Sequence, residues 1–90
     1  MDLWEIIMAV VGGVYRHFKG GLYIVEDLAY HHEDKSIWVV YRSFDTKKLY
    51  VRPEKMFDSP VDTEKYPEVQ QNHRFELIGH VYDPDNEEEN

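Results

Sequence analysis

The sequence predicts a mainly β domain, a small antiparallel barrel of about five strands, and two observations support this. Apolar and polar residues alternate in short runs, which is typical of strands with one buried face. Glycine, proline and acidic residues interrupt these runs at short intervals and mark turns. The chain has 90 residues, and a domain this small hides only about 60% of its unfolded surface. We therefore expect a functional surface on an exposed face or in a shallow groove.

The first twelve residues have the spacing of a helix. Apolar residues recur at positions 3, 6, 7, 10 and 11 after Asp2, a residue type that caps helices, and Gly12-Gly13 ends the pattern. We expect residues 1–12 to form a helix that docks on the domain or on a second subunit, which would give a homodimer. A second interpretation is that Met8 is the true start and that the residues before it are incidental.

Five strands are predicted after this segment. Their bounds are 14–17, 22–30, 36–42, 48–51 and 74–81. Lys19-Gly20-Gly21 and Asp34-Lys35 are predicted as tight turns, and residues 44–47 as a longer one. Pro53 cannot continue a central strand, so we expect it to open a short helical turn over residues 54–57. Residues 59–71 are predicted as a loop or a ragged hairpin.

Short strands with a proline-marked helical turn before the last one are typical of an SH3-like barrel, here over residues 13–81. A plain sheet of three or four strands covered by a helix is the alternative. In the hairpin around Phe44, matching the apolar faces predicts that five residues lie inside: Ile37, Val39, Tyr41, Leu49 and Val51. The outer face would then carry Trp38, Arg42, Tyr50 and Arg52.

The charge of the chain is unevenly distributed. The formal net charge is -8, yet residues 14–57 hold eight Lys and Arg against six Asp and Glu, whereas residues 58–90 hold two against ten. Residues 83–90 have nothing to bury, so residues 82–90 are predicted to form a disordered acidic tail. Competition of this tail for the basic face is a further hypothesis. The tail would repel a polyanion, so we expect a small anion, a peptide or a protein as partner rather than nucleic acid.

Several classes of protein are disfavoured by composition. The chain has no cysteine, which removes disulfides, thiolate metal sites and cysteine nucleophiles. No apolar run approaches the roughly 20 residues of a membrane-spanning helix, and Asp2 and Glu5 stand where a secretory signal would carry cations. We therefore expect a cytoplasmic protein with no membrane association, and no motif indicates a cofactor.

The strongest candidate site combines cations, histidines and one carboxylate: Arg16, His17, His31, Glu33, Arg52 and Arg74. Converging guanidinium groups form bidentate contacts with phosphate or carboxylate, and Tyr41 or Tyr50 would flank such a site. This pattern favours a binding module for a small anionic or peptide ligand. The alternative is that these arginines pair internally with Asp27, Glu33 or Glu54 and hold strand ends together.

Two other functions are open from the same residues. His31 and Glu33 project to one side of an extended segment, and His17 could approach them, as in a small hydrolase or metal-dependent enzyme. The spacing is too common to assign a metal ligand, and no nucleophile accompanies it, so we assign no catalytic residue. Rings and cations also alternate as in a stacking platform of an RNA-associated accessory domain, formed by Trp38, Arg42, Tyr50 and Arg52.

Five segments carry a resemblance to a known family. They are Tyr-Arg-His-Phe-Lys-Gly at 15–20, Ala-Tyr-His-His-Glu at 29–33, Val-Val-Tyr at 39–41, Tyr-Val-Arg-Pro-Glu-Lys-Met-Phe at 50–57, and Arg-Phe at 74–75. Over about residues 13–78 the chain resembles a small bacterial family called domain of unknown function 1653. The resemblance implies a single SH3-type barrel with no assigned activity. Tyr50 stands where that family usually has Trp, and the loop over residues 63–72 is longer than its short turn.

Overall fold

The computed structural model describes residues 9–81, which contain five strands and one short helix. The elements are β1 (Gly13–His17), β2 (Leu22–Tyr30), β3 (Ile37–Ser43), β4 (Leu49–Pro53), α1 (Glu54–Phe57) and β5 (Phe75–His80). The mainly β architecture is confirmed, and each predicted strand is present with ends shifted by one or two residues at most. Pro53 is the N-cap of α1 rather than its first helical residue.

The two predicted terminal segments lie mostly outside the described residues. Of the expected helix over 1–12, residues 9–12 are described, and they form irregular chain and a turn. Residues 1–8 and the predicted acidic tail over 82–90 are not described. Within residues 9–81, no helix has the length and apolar character needed to cross a membrane.

The five strands form one antiparallel sheet in the order β4-β3-β2-β1-β5. The register shifts between Val14 and Tyr15 and between Val25 and Asp27, and such bulges bend a sheet. In the described part of the chain β4 and β5 are the edges and do not pair with each other. The sheet is therefore open, and hydrogen bonds do not close it into the expected barrel.

The turn between β1 and β2 depends on two glycines. Gly20 and Gly21 have φ angles of 110° and 92°, which side-chain-bearing residues rarely adopt. The Gly20 N–H donates to the His17 carbonyl at 2.8 Å, and the His17 N–H donates to the Gly21 carbonyl at 3.1 Å. This turn holds Phe18 and Lys19 directly beside the end of β1. The second predicted tight turn is longer than expected, because the His31 N–H donates to the Ser36 carbonyl across it.

The predicted inner and outer faces of β4 are wrong. The register pairs Tyr41 with Tyr50 and Val39 with Arg52, so Tyr50 and Arg52 share the inner face with the core residues of β3. Leu49 and Val51 point outward and are 49% and 58% exposed. The loop between β3 and β4 explains the error. Side chains alternate along a strand, so the number of loop residues decides which side chains of β4 face inward.

The loop between β3 and β4 closes at Ser43 and Lys48. The Ser43 N–H donates to the Lys48 carbonyl at 3.0 Å, and Lys47 adopts a φ of 67°. The buried Ser43 hydroxyl accepts the N–H groups of Asp45 and Thr46, both at 3.1 Å. These bonds fix the four-residue loop that the sequence predicts at 44–47. Placing Leu49 and Val51 inside, as the matching of apolar faces did, would need an odd number of loop residues.

Aromatic rings form most of the core on the inner face of the sheet. Phe57 from α1 stacks on Phe75 with ring centroids 4.1 Å apart, and Tyr15 and Tyr41 meet Phe57 edge-on at 5.1 and 5.4 Å. Such contacts add to the stabilisation that burial of ring area provides. Phe57 thereby holds α1 against the sheet.

The segment over residues 58–74 connects α1 to β5, and two backbone hydrogen bonds join its ends to each other. Val61 is buried, and its N–H donates to the Asn72 carbonyl at 2.9 Å. The Arg74 N–H donates to the Ser59 carbonyl at 2.8 Å, and the Gln71 side-chain amide donates to the Arg16 carbonyl at 2.9 Å. The Gln71 bond holds the segment beside β1.

Candidate functional site

A cleft of about 540 Å³ is lined by the end of β1, the turn after it, β4 and the 58–74 segment. We call it the basic cleft. Its charged and aromatic lining consists of His17, Phe18, Lys19, Arg52, Asp62, Lys65, Tyr66 and Arg74. Four cationic side chains therefore surround it against one carboxylate.

The two arginines of the basic cleft are oriented by neutral hydroxyl groups. The Arg52 Nε–H donates to the Tyr41 hydroxyl at 3.2 Å, and the Arg74 Nε–H donates to the Ser59 hydroxyl at 3.1 Å. Neither arginine takes part in any of the three ion pairs that form within residues 9–81. Both arginine residues are half-buried, and in the described part of the chain their charges at the cleft wall have no ion-pair partner.

Two other arginines behave differently. Arg16 forms an ion pair with Glu76 at 3.0 Å, and Arg42 forms one with Glu26 at 2.8 Å. Arg16 lies between Tyr15 and His17 on β1, and since these two neighbours face the inner side, Arg16 faces the outer side. Internal pairing thus applies to Arg16, although with a partner other than the expected ones, and also to Arg42, for which none was predicted.

His17 lies at the inner end of the basic cleft and is half-buried. Its ring packs edge-on against Phe75 at 4.9 Å and stacks on Phe18 at 4.8 Å. Burial lowers the pKa of His17 below its ordinary value of 6.5, and the charges of Arg74, Arg52 and Lys19 lower this pKa further. His17 is therefore neutral at pH 7.

The hydrogen bonding of His17 defines its tautomer. The His17 Nδ1 atom accepts the Lys19 N–H at 3.0 Å. A neutral imidazole has one donor and one acceptor nitrogen, so the proton is on Nε2. His17 can therefore act as a hydrogen-bond donor through Nε2.

The outer part of the basic cleft contains two lysines around one ring. The Nζ atoms of Lys19 and Lys65 lie 5.2 and 5.5 Å from the centroid of the Tyr66 ring, which itself packs edge-on against Phe18 at 5.0 Å. The Lys19 ammonium, as a hydrogen-bond donor and as a charge, lowers the pKa of the Tyr66 hydroxyl, and Lys65 adds to the effect. The Asp62 carboxylate accepts the N–H groups of Glu64 and Lys65 at 3.0 and 3.3 Å.

Lys65 and Tyr66 were not among the residues predicted from the sequence. They lie in the segment that the sequence predicts only as a loop or ragged hairpin. The available signal was an aromatic residue next to a cation in an otherwise polar stretch that ends at Pro67. No strand or helix periodicity places such a pair on a particular face of the domain.

His31 and Glu33 do not line the basic cleft. They lie in the turn between β2 and β3, where the His31 ring stacks on Trp38 at 5.6 Å. The His31 Nδ1 atom accepts the Glu33 N–H at 3.3 Å and lies 3.4 Å from the Asp34 carboxylate. Within residues 9–81, no three His, Asp or Glu side chains converge as metal ligands.

The remaining predicted residues are divided between the two faces of the sheet. Tyr41 is buried and supports Arg52, and Tyr50 stacks on Tyr41 with centroids 5.7 Å apart. Trp38 and Arg42 share the opposite face, so the predicted stacking platform is split. The structure therefore brings together His17, Arg52 and Arg74, with Tyr41 and Tyr50 beside them, and separates Arg16, His31 and Glu33 from them.

Comparison with known proteins gives one family. Residues 13–77, which include every lining residue of the basic cleft, match the model of the family described as Protein of unknown function (DUF1653). The crystal structure of a protein of that family from Bordetella bronchiseptica is similar to this chain, with 31% sequence identity and a TM-score of 0.64. The similarity covers 80% of this chain and 91% of that one. No curated protein matches the chain.

Proposed function

The chain belongs to the DUF1653 family, and we propose that it is a binding module that holds a small anionic ligand in the basic cleft. One observation carries the proposal. Arg52 and Arg74 line the same cleft, and within residues 9–81 neither has a carboxylate partner. A charged group that is half removed from water without a counter-charge is costly, and a bound anion would remove that cost.

The donors of the cleft suit a phosphate or carboxylate group. Because the Nε–H groups of Arg52 and Arg74 are held by hydroxyls, the terminal nitrogens are left to form paired bonds with oxygen atoms. The Nε2–H of His17 is a third donor that carries no charge at pH 7. A hydrogen bond between one of these donors and a charged ligand group contributes about 1.5–3 kcal/mol.

We propose a compact anion rather than a nucleic-acid strand. Residues 9–81 contain ten Lys and Arg against eleven Asp and Glu, so the positive charge is local to the cleft rather than general. A surface that follows a nucleic-acid backbone needs a basic groove that extends over several nucleotides.

We also propose that the open sheet is SH3-like. The strand order, with α1 between β4 and β5, supports this proposal. A crystal structure with another strand order would contradict it.

The experiment is a calorimetric titration with inorganic phosphate at low ionic strength. We expect Arg52→Met and Arg74→Met each to weaken binding by about 10- to 100-fold, because each removes charged hydrogen bonds. The matched controls are Arg16→Met and Arg42→Met, which remove the same charge from the outer face and should change the affinity less than about 3-fold. Thermal unfolding of the four variants serves as the check that each of them folds.

Two results would contradict the proposal. One is that the unmodified protein binds no phosphate. The other is that the four variants weaken binding equally, which would indicate a general charge effect rather than a site.

A further inference from the structure

We infer that the ligand carries two separate anionic groups, one for the arginine pair Arg52 and Arg74 and one for the lysine pair Lys19 and Lys65. This inference rests on the proposed anion-binding function. Both pairs line the basic cleft, but guanidinium and ammonium groups differ in chemistry. The chemical class that fits is a diphosphate or a compact compound with two phosphate groups.

The lysine pair has a defined position. Both ammonium groups lie within 5.5 Å of the centroid of the same ring, that of Tyr66. Cation–π contact holds each of them there, and two like charges around one ring repel each other. An anionic group between them would relieve the repulsion, and the Tyr66 hydroxyl could serve as a further polar contact.

The one carboxylate in the cleft lining forms no ion pair with either lysine. The Asp62 side chain accepts two backbone N–H groups of its own turn, and no ion pair within residues 9–81 includes Asp62, Lys19 or Lys65. Among residues 9–81, the lysine pair therefore resembles the arginine pair in having charge at the cleft wall and no carboxylate in an ion pair with it.

The two pairs suit two groups of one ligand rather than two independent ions. Guanidinium groups bind tetrahedral or planar oxyanions through paired hydrogen bonds, whereas ammonium groups act as compact point charges. A volume of about 540 Å³ lies within the range of roughly 300–1,000 Å³ of small-molecule sites. It exceeds the space that a single tetrahedral anion needs.

The test compares inorganic phosphate with pyrophosphate at equal ionic strength, by calorimetric titration of the full chain. We expect pyrophosphate to bind at least about 10-fold more tightly. Lys65→Met should weaken pyrophosphate binding by about 5- to 10-fold and phosphate binding less than 2-fold, because phosphate occupies the arginine pair. Lys19→Met removes the other ammonium group of the lysine pair and should have the same effects. Lys55→Met is the matched control, an exposed lysine of α1 outside the cleft lining, and should change neither affinity.

The outcomes separate the two proposals. If phosphate binds but pyrophosphate binds no more tightly, or if Lys65→Met weakens both probes equally, the two-group inference is wrong and the anion site stands. If neither probe binds, the proposed function itself is wrong. If a short RNA binds more tightly than pyrophosphate, with an affinity that falls steeply with salt, the compact-ligand class is overturned.

Discussion

The two faces of the sheet use arginine in two different ways. On the outer face Arg16 and Arg42 pair with glutamates, while on the inner side Arg52 and Arg74 are held by hydroxyls and, within residues 9–81, have no carboxylate partner. The residue type is the same, so it does not distinguish a structural role from a binding role. The partner of the guanidinium group does.

The strand register explains this difference. Arg16 stands directly opposite Glu76 on β5, so that a cross-strand ion pair forms. Arg52 stands opposite Val39, which is fully buried and offers no acceptor. Arg52 instead donates a hydrogen bond to the hydroxyl at the end of the Tyr41 ring.

The largest expected effect concerns the rings that hold the inner face. Phe57→Ala should lower the free energy of unfolding by about 3–5 kcal/mol, because it leaves a cavity between Phe75, Tyr15 and Tyr41. Val51→Ala, on the exposed outer face, should cost about 0.5 kcal/mol or less. Urea denaturation measures both. Equal losses would contradict the assignment of the two faces.

The next effect separates orientation of an arginine from general stability. Tyr41→Phe removes the acceptor of the Arg52 Nε–H, and Tyr15→Phe removes the acceptor of the Val10 N–H. Each should lower the free energy of unfolding by about 1 kcal/mol. We expect only Tyr41→Phe to weaken phosphate binding, by about 3- to 10-fold. If both variants bind phosphate equally well, the hydroxyl does not orient Arg52.

The pH dependence tests the inner end of the cleft. The pKa of His17 is lowered in the folded state, chiefly by burial and then by Arg74, Arg52 and Lys19, so the unfolded chain binds the proton more readily. The free energy of unfolding should therefore fall as the pH decreases from about 6.5 through the folded-state pKa. A bound anion offsets the neighbouring cations and favours protonation, so binding should strengthen over the same range.

Sulfate is the suitable probe for this pH series because it stays dianionic throughout. Denaturation and sulfate titrations between pH 5 and pH 8 should show both trends in the unmodified protein. His17→Gln should remove the contribution of His17 from each. Superimposable pH profiles for the two proteins would show that His17 does not face the anion.

The smallest effect belongs to the outer ion pairs. A double-mutant cycle on Arg42 and Glu26 should give a small coupling that decreases with salt, because both side chains are well exposed. None of these variants should change phosphate affinity by more than about 3-fold. A loss of binding in Arg42→Met would place part of the site on the outer face.

The strands and the helical turn could be predicted because local signals define them. Alternation identifies β2 and β3, and Pro53 marks the start of α1. The face of β4 could not be predicted by the same means. Matching apolar residues favoured Leu49 and Val51 inside, but a four-residue loop with Lys47 at positive φ fixes the opposite parity.

The candidate site could also be predicted only in part, because some of its residues carry a local signal and others do not. His17, Arg52 and Arg74 occur in motif-like segments next to aromatic residues, and the fold brings them together. Arg16 belongs to the same segment as His17, but alternation along β1 places it on the other face. The place of Lys65 in the cleft depends on how the 58–74 segment lies against β1. That position follows from long-range hydrogen bonds rather than from a local pattern.

The most direct test of the central claim is an amide NMR titration of the labelled protein with sulfate at low ionic strength. The account predicts saturable shifts at residues 17–19, at Arg52, at residues 60–66 and at Arg74, with little change at Arg16 and Arg42. Shifts of equal size on both faces, or at the outer arginines alone, would contradict an anion site between Arg52 and Arg74.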